Sequence, residues 1–243
     1  MTFQITRSGK NPLMLSTPVM PAAGTIGFGD CYHDLINIER LGAIVTNPLT
    51  LEGWSPARGV RVVPLDAGML MHTGLPNPGL KLAARQYYQS WATSPVPVIV
   101  HLVATHPADL ARGMEILDAI DAVAAVEIGL DDDITWDETE TLVRAAADQS
   151  EKPVLVRLPL LDAYEVAGAA AGAGADALVV AAPPRGTARD PHSGRLVSGR
   201  IYGPLVKPMT LHIVEVLAKR IDDVPIIGAG GIHSMDDARD YIE

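Results

Sequence analysis

Val96-Pro-Val-Ile-Val-His-Leu102 is an apolar, largely β-branched run broken by one histidine. Polar and apolar residues do not alternate along it. A strand buried on both faces reads this way, and such strands form parallel sheets covered by helices. Five runs of the same kind surround it: Gly42-Ala-Ile-Val-Thr46, Val123-Ala-Ala-Val-Glu-Ile128, Pro153-Val-Leu-Val-Arg-Leu158, Ala177-Leu-Val-Val-Ala181 and Val224-Pro-Ile-Ile227. Pro18-Val-Met-Pro-Ala-Ala23 reads as a first strand, so seven core strands are expected.

The segments between these runs carry helical patterns. Leu110, Met114 and Leu117 fall on one helix face after His106-Pro107. Thr135 and Glu138 form a capping-box pattern ahead of Thr141 to Ala147. Leu211, Val214, Leu217 and Ala218 stripe a helix from Lys207 to Ile221, and Ser234 is placed to cap a last helix, Met235 to Ile242. Repeated βα units make an α/β protein. No Pro/Gly/Ser-rich linker divides residues 1–243, so a single domain is expected. Gly24-Thr-Ile-Gly27-Phe-Gly29 lacks the spacing of a dinucleotide-binding fingerprint, which disfavours an open doubly wound sheet. The remaining architecture is a TIM (β/α)8-type barrel lacking the last βα unit.

Composition narrows the partners. Aromatic residues make up 5%, with two Phe, too few for a base-stacking platform. A net charge of −10 disfavours nucleic acid and anionic membrane, and also favours solubility. One cysteine, Cys31, excludes an internal disulfide and a Cys-rich zinc or iron–sulfur site; it reads as a structural residue. No apolar run approaches the roughly 20 residues of a membrane span. Met1 to Lys10 carries no signal-peptide core, so a cytoplasmic protein is expected.

Several segments together resemble the dihydroorotate dehydrogenase family, the FMN-dependent barrels of pyrimidine biosynthesis. They are Gly42 to Thr46; Gly68-Met-Leu-Met-His-Thr-Gly74-Leu-Pro-Asn77-Pro-Gly79, close to that family's Gly-Leu-x-Asn-x-Gly loop; Pro153 to Leu158; Ala173-Gly-Ala-Asp176; Tyr202-Gly203-Pro204-Leu-Val-Lys207-Pro208; and Val224-Pro-Ile-Ile-Gly228-Ala-Gly230-Gly231-Ile232. Their order and approximate spacing match across nearly the whole chain.

The resemblance implies an oxidoreductase, a flavoprotein with FMN over the C-terminal strand ends, acting on a CH–CH bond. It assigns Ala23, Gly24, Asn47, Arg157, Gly203, Gly230 and Gly231 to the cofactor, and Met71, His72, Gly74 and Leu75 to a small, anionic substrate. Gly230 and Gly231 precede a helix N-terminus, where free N–H groups suit a phosphate. The family's second phosphate loop, after strand eight, has no counterpart up to Glu243, so half of the cradle is expected to be missing. Arg157 stands where the family has a lysine near flavin N1 and O2, and a strand-end salt bridge is its other reading.

Three positions depart from the family pattern. Asn47 replaces a lysine, Met71 replaces a substrate-binding asparagine, and Asp132 aligns with the Cys or Ser base. A carboxylate can serve as base, yet Asp131, Asp132 and Asp133 also suit the start of the following helix. His101 could pair with His72 or His106, but no His-x-His or His-x-x-x-His spacing marks a metal site. Arg185, Arg189, Arg195 and Arg200 fall in the segment Pro183 to Arg200, read either as a solvated loop or as a site for an anion over the barrel mouth.

Two further readings compete. One is a degenerate barrel that binds a ligand or partner without redox chemistry. The other is a Schiff-base aldolase, disfavoured because it needs a lysine at an inner strand end and neither Lys152, which precedes its strand, nor Lys207 stands there. A sheet open between strands near Met20 and Ile226 would be covered by a homo-oligomer or partner chain, by the segment Thr2 to Leu15, or would leave the domain marginal.

Overall fold

The computed structural model describes residues 2–9, 12–29, 31 and 34–242. Met1, Lys10 and Glu243, named above as ends of segments, lie outside them. Strands β1 (Phe3–Gln4) and β2 (Met14–Leu15) pair as an antiparallel hairpin. Next come β3 (Ile44–Val45), β4 (Val62–Leu65) and β5 (Gly68–Met71). Helices and strands then alternate: α1 (Leu80–Ala92), β6 (Val98–Val103), α2 (Pro107–Asp118), β7 (Ala125–Gly129), α3 (Trp136–Ala147), β8 (Val154–Leu158), α4 (Ala163–Ala173) and β9 (Ala177–Val180). The hairpin β10 (Arg185–Arg189) and β11 (Leu196–Tyr202) follows, then α5 (Lys207–Ala218), β12 (Ile226–Gly228) and α6 (Met235–Ile242).

Six of these strands form a curled parallel sheet in the order β12-β9-β8-β7-β6-β3, the arrangement of an incomplete (β/α)8 barrel. All six quoted apolar runs contribute to it. Its seventh expected member does not: Pro18 to Ala23 forms no strand. Pro18 and Pro21 have no N–H to give a ladder, and the segment's bond to the sheet comes from Gly42 N–H, donated to Val19 O at 2.8 Å. The edges among the described residues are therefore β3 and β12, not a strand at Met20.

The strands' two faces have different neighbours. Val98, Val100, Leu102, Val126, Ile128, Val156 and Leu178 pack outward with Leu110, Met114, Leu117, Val143 and Val166 of the helices. Val45, Ile99, Ala125, Leu155 and Val179 point inward. Leu13 and Leu15 of the N-terminal hairpin enter that inner cluster, and Arg7 pairs with Asp176 just before β9 at 3.2 Å. Of the segment Thr2 to Leu15, the described residues Arg7, Leu13 and Leu15 thus plug the N-terminal end of the curl instead of covering an edge.

Local signals explain the helix ends. Thr135 and Glu138 make the complete capping box, which starts α3 at Trp136. Ser234 accepts the Asp237 N–H at 3.1 Å at the start of α6. Among the described residues, no helix is long and apolar enough to cross a membrane.

The segment read as a basic loop is instead β10 and β11. They join β5 and β4 in a four-stranded antiparallel sheet, β10-β11-β5-β4.

Candidate active site at the C-terminal strand ends

Side chains alternate along a strand, so the inward face continues from apolar Val45, Ile99, Ala125 and Leu155 to Asn47, His101, Glu127 and Arg157 two residues further on. A polar layer thus sits above the apolar plug. His101 Nδ1 lies 2.7 Å from Glu127 Oε1, and Arg157 Nε lies 3.0 Å from the same oxygen. The three residues are 5%, 1% and 7% exposed, so they form a buried polar cluster around the Glu127–Arg157 ion pair. Burial would raise the Glu127 carboxyl; the charge of Arg157 and the bond from His101 outweigh it and hold the group below the usual carboxylate range.

Two atoms of this layer have unspent bonding. Asn47 Oδ1 is buried without a hydrogen-bond partner. Arg157 Nε meets Glu127 as an ion pair, yet its N–H lacks a well-directed acceptor. Leaving such groups dry and unpaired costs roughly 1–3 kcal/mol each, which suits a ligand with matching donors and acceptors. Asn47 is held from behind: its N–H donates to Gly27 O at 2.6 Å, and its carbonyl accepts from the Thr46 hydroxyl at 3.0 Å. That bond ties the first glycine-rich loop, with Ala23 and Gly24, to the same layer. A Cβ at Gly24 (φ +90°) would meet nothing within 4 Å.

The antiparallel sheet brings a second group of residues to the mouth. Arg200 of β11 lies directly across from Met71 of β5, and Tyr202 lies across from Met69. Asp132, in the loop after β7, receives Arg200 Nη1 at 2.8 Å on Oδ1 and Arg200 Nη2 at 2.7 Å on Oδ2. Arg185 Nε reaches Oδ2 at 2.5 Å. Both carboxylate oxygens are therefore committed. Burial pushes the Asp132 carboxyl up, but the two guanidiniums outweigh it and lower it below its ordinary value. Burial raises the Tyr202 phenol, opposed by the nearby charges of Arg200 and Arg157.

The remaining expected substrate residues lie in the turn after β5. His72 N–H donates to Arg61 O at 2.8 Å, and Leu75 N–H to the Thr73 hydroxyl at 3.3 Å. Gly74 (φ +75°) and Leu75 (φ +48°) both take left-handed backbone. Asn77 is 8% exposed, and its Oδ1 accepts from Thr50 N–H, Thr50 Oγ1 and Gly79 N–H at 3.2, 3.1 and 2.9 Å. It fastens this turn to the chain following β3.

The glycines at the other end of the mouth are packed by the protein itself. A Cβ on Gly231 (φ +66°) would lie 2.5 Å from Lys207 N, and one on Gly230 would lie 2.9 Å from Thr210 Oγ1. A Cβ on Gly203 would meet Gly68 Cα at 2.6 Å. Tyr241 donates its hydroxyl to Gly230 O at 2.9 Å. Lys207 pairs with Asp237 and Asp240, and His233 Nδ1 lies 2.7 Å from Asp237. Lys207 and Ser234 hold the Asp237 carboxyl far below its ordinary value.

The structure thus gathers Asn47, Arg157, Asp132 and Met71 at the strand ends, with Gly230 and Gly231 at the turn after β12. Glu127 carries no assignment in the sequence reading, although a carboxylate inside Val-Ala-Ala-Val-Glu-Ile marks a buried charge that needs partners. His101 has neither His72 nor His106 as its partner; it is spent on Glu127.

Comparison with known proteins agrees in extent with this architecture. The family model described as dihydroorotate dehydrogenase matches residues 11–243. The catalytic subunit of dihydroorotate dehydrogenase B (NAD(+)) from Geobacter sulfurreducens is 33% identical over 250 aligned residues, covering 95% of this chain and 80% of that protein. The protein of the same description from Trichlorobacter lovleyi is 32% identical, covering 95% of this chain and 81% of its own. That from Desulforudis audaxviator is 30% identical with 95% and 80% coverage.

Proposed function

The chain belongs to the dihydroorotate dehydrogenase family, and on that premise we propose that it is an FMN-dependent oxidoreductase acting on a CH–CH bond, with dihydroorotate to orotate as the reaction its relatives indicate. Residues 1–243 act in this reading as a single domain. The observation that carries it is the inward polar layer, in which buried Arg157 and Asn47 retain unspent bonding.

The residues present fit the group. Arg157 and Asn47 would meet the pyrimidine edge of the flavin, whose carbonyls and ring N–H match a guanidinium and an amide. The turn Gly230-Gly231 and the start of α6 would meet the phosphate, with Lys207 adjacent. When bound, FMN supplies hydride acceptance, which no side chain here can provide. The chain's own parts then bind and orient. Glu127 holds Arg157 from below, and the β5–β11 pair sets Met71, Arg200 and Tyr202 along one wall. Asp132 is the proton acceptor of this scheme, and an ion-paired carboxylate accepts protons weakly. An anionic substrate would approach past Arg185 and Arg200. The relatives are described as catalytic subunits, so a partner that passes electrons to NAD(+) belongs to the proposal.

The Asp132 pairing also favours a second reading, a barrel that keeps the cofactor site without fast dihydroorotate oxidation. Visible absorption of the purified chain loaded with FMN, followed by orotate formation under anaerobic conditions, separates the two. Flavin uptake with slow orotate formation is the expected result. No flavin uptake would overturn the primary reading.

A further inference from the structure

Two buried groups, Glu127 and His101, lie beneath Arg157. Glu127 Oε1 is shared by His101 Nδ1 and Arg157 Nε, and all three side chains are at least nine-tenths buried. We propose that Glu127 is a positioning residue that aims Arg157 and offsets its charge, while His101 is the group that takes up a proton when negative charge arrives above the layer. The proposal rests on the reading that FMN lies over Arg157.

With Glu127 ionised and His101 neutral, the carboxylate cancels the guanidinium, so the buried layer carries no net charge. A neutral layer is the cheap one to bury. It also gives little stabilisation to an anion formed at the mouth. An FMN held there would, once reduced, carry negative charge at its pyrimidine edge, and Arg157 is the residue that would meet it. In a site of low dielectric that charge needs a counter-charge, and the layer has one place to put it.

That place is His101 Nε2. Nδ1 faces Glu127, so the neutral ring donates its Nδ1–H there and keeps its lone pair on Nε2. Nε2 lies over Gly129, where an added Cβ would sit only 3.1 Å away; glycine leaves that side of the ring clear. The charged and titratable groups around the ring and its partners are Glu127 on β7 and Arg157 on β8, with Tyr202 and Arg200 of β11 beyond Arg157. Thr46 accepts the His101 backbone N–H at 3.1 Å and fixes the strand under the ring. Protonation moves one proton from a solvent hydronium ion to Nε2: its O–H bond breaks as the N–H bond forms, and water is released. No bond within the protein breaks, and the layer goes from neutral to a net charge of plus one.

The test uses NMR titration of the His101 imidazole in the chain without cofactor, and redox titration of the chain loaded with FMN. Glu127→Gln removes the negative neighbour, so His101 should titrate at lower pH and the flavin potential should move positive. Arg157→Gln removes the positive neighbour, so His101 should titrate at higher pH and the potential should move negative. The opposite signs guard against a variant that merely loosens the fold, which would move both in one direction. An unchanged His101 titration in both variants, or shifts of the same sign, would overturn the triad. A chain that takes up no FMN would sink the flavin reading, and the cofactor-free His101 titration would still decide the role of Glu127.

Discussion

At the scale of single residues, Asp132 sets the chemistry to be expected. Its oxygens are bound by Arg185 and Arg200, which lower its carboxyl. A base so fastened should work poorly, and losing a positioned base costs roughly 10²–10⁴-fold in rate. Dihydroorotate oxidation should fall short of the relatives' rates by about that factor, measured as orotate formed by the FMN-loaded chain at neutral pH; parity would exclude the argument. The pairing also has a pH signature. A carboxyl lowered on folding contributes stability that is whole above its unfolded value of about pH 4 and is lost as pH falls through the folded value. Acid should therefore lower the melting temperature of the wild-type chain more than that of Asp132→Asn. The positions of Asn47 and Arg157 were legible in the sequence because each follows or ends an apolar run; Met71 was placed only by the resemblance, since β5 gives no such run. The partners of Glu127, His101 and Asp132 were not. Each contact joins residues on different elements, and no local pattern encodes it: Asp132 and Arg200 are 68 positions apart.

At the scale of elements, the parallel strands were readable because burial on both faces demands uninterrupted apolar runs. The exception was Pro18 to Ala23, where apolar composition outweighed the missing proline donors. The β10–β11 hairpin was hidden for the opposite reason. The exposed alternate residues of β10 (Arg185, Thr187 and Arg189) are polar or charged, and the hairpin's place in a sheet comes from the pairing of β11 with β5. That pairing spans residues far apart in sequence. The hairpin is held by two kinds of bond, the backbone ladder to β5 and the Asp132 clamp. Arg200→Ala removes the bidentate part of the clamp and leaves the ladder. We expect faster amide hydrogen exchange across Arg185–Arg189 with little change in the β6–β9 core. Uniform exchange across both regions would show that the clamp contributes nothing local. The same variant should weaken binding of a small carboxylate at the mouth more than binding of FMN.

At the scale of the whole molecule, the inner apolar cluster depends on a plug supplied by the first residues. Leu15 is 1% exposed and packs with Val45, Ile99, Leu155 and Val179. Truncating such a side chain costs about 2–5 kcal/mol, a large share of a domain's usual 5–15 kcal/mol. Leu15→Ala should lower the denaturation midpoint accordingly, and an unchanged midpoint would show that the plug is dispensable.

The plug also orders events in time. Arg7 meets Asp176 across 169 positions of chain, and its N–H donates to Asp176 O at 2.8 Å. During synthesis the first residues emerge long before their docking site exists. Contacts of such long sequence separation slow folding, because the intervening loop must close before they stabilise anything. The β6–β9 region, built from neighbouring βα units, can assemble first. The N-terminal hairpin then docks last on refolding and detaches first on unfolding. Pulse-labelling during refolding would find protection at Ile5 and Leu13 lagging behind that at Val126 and Val156.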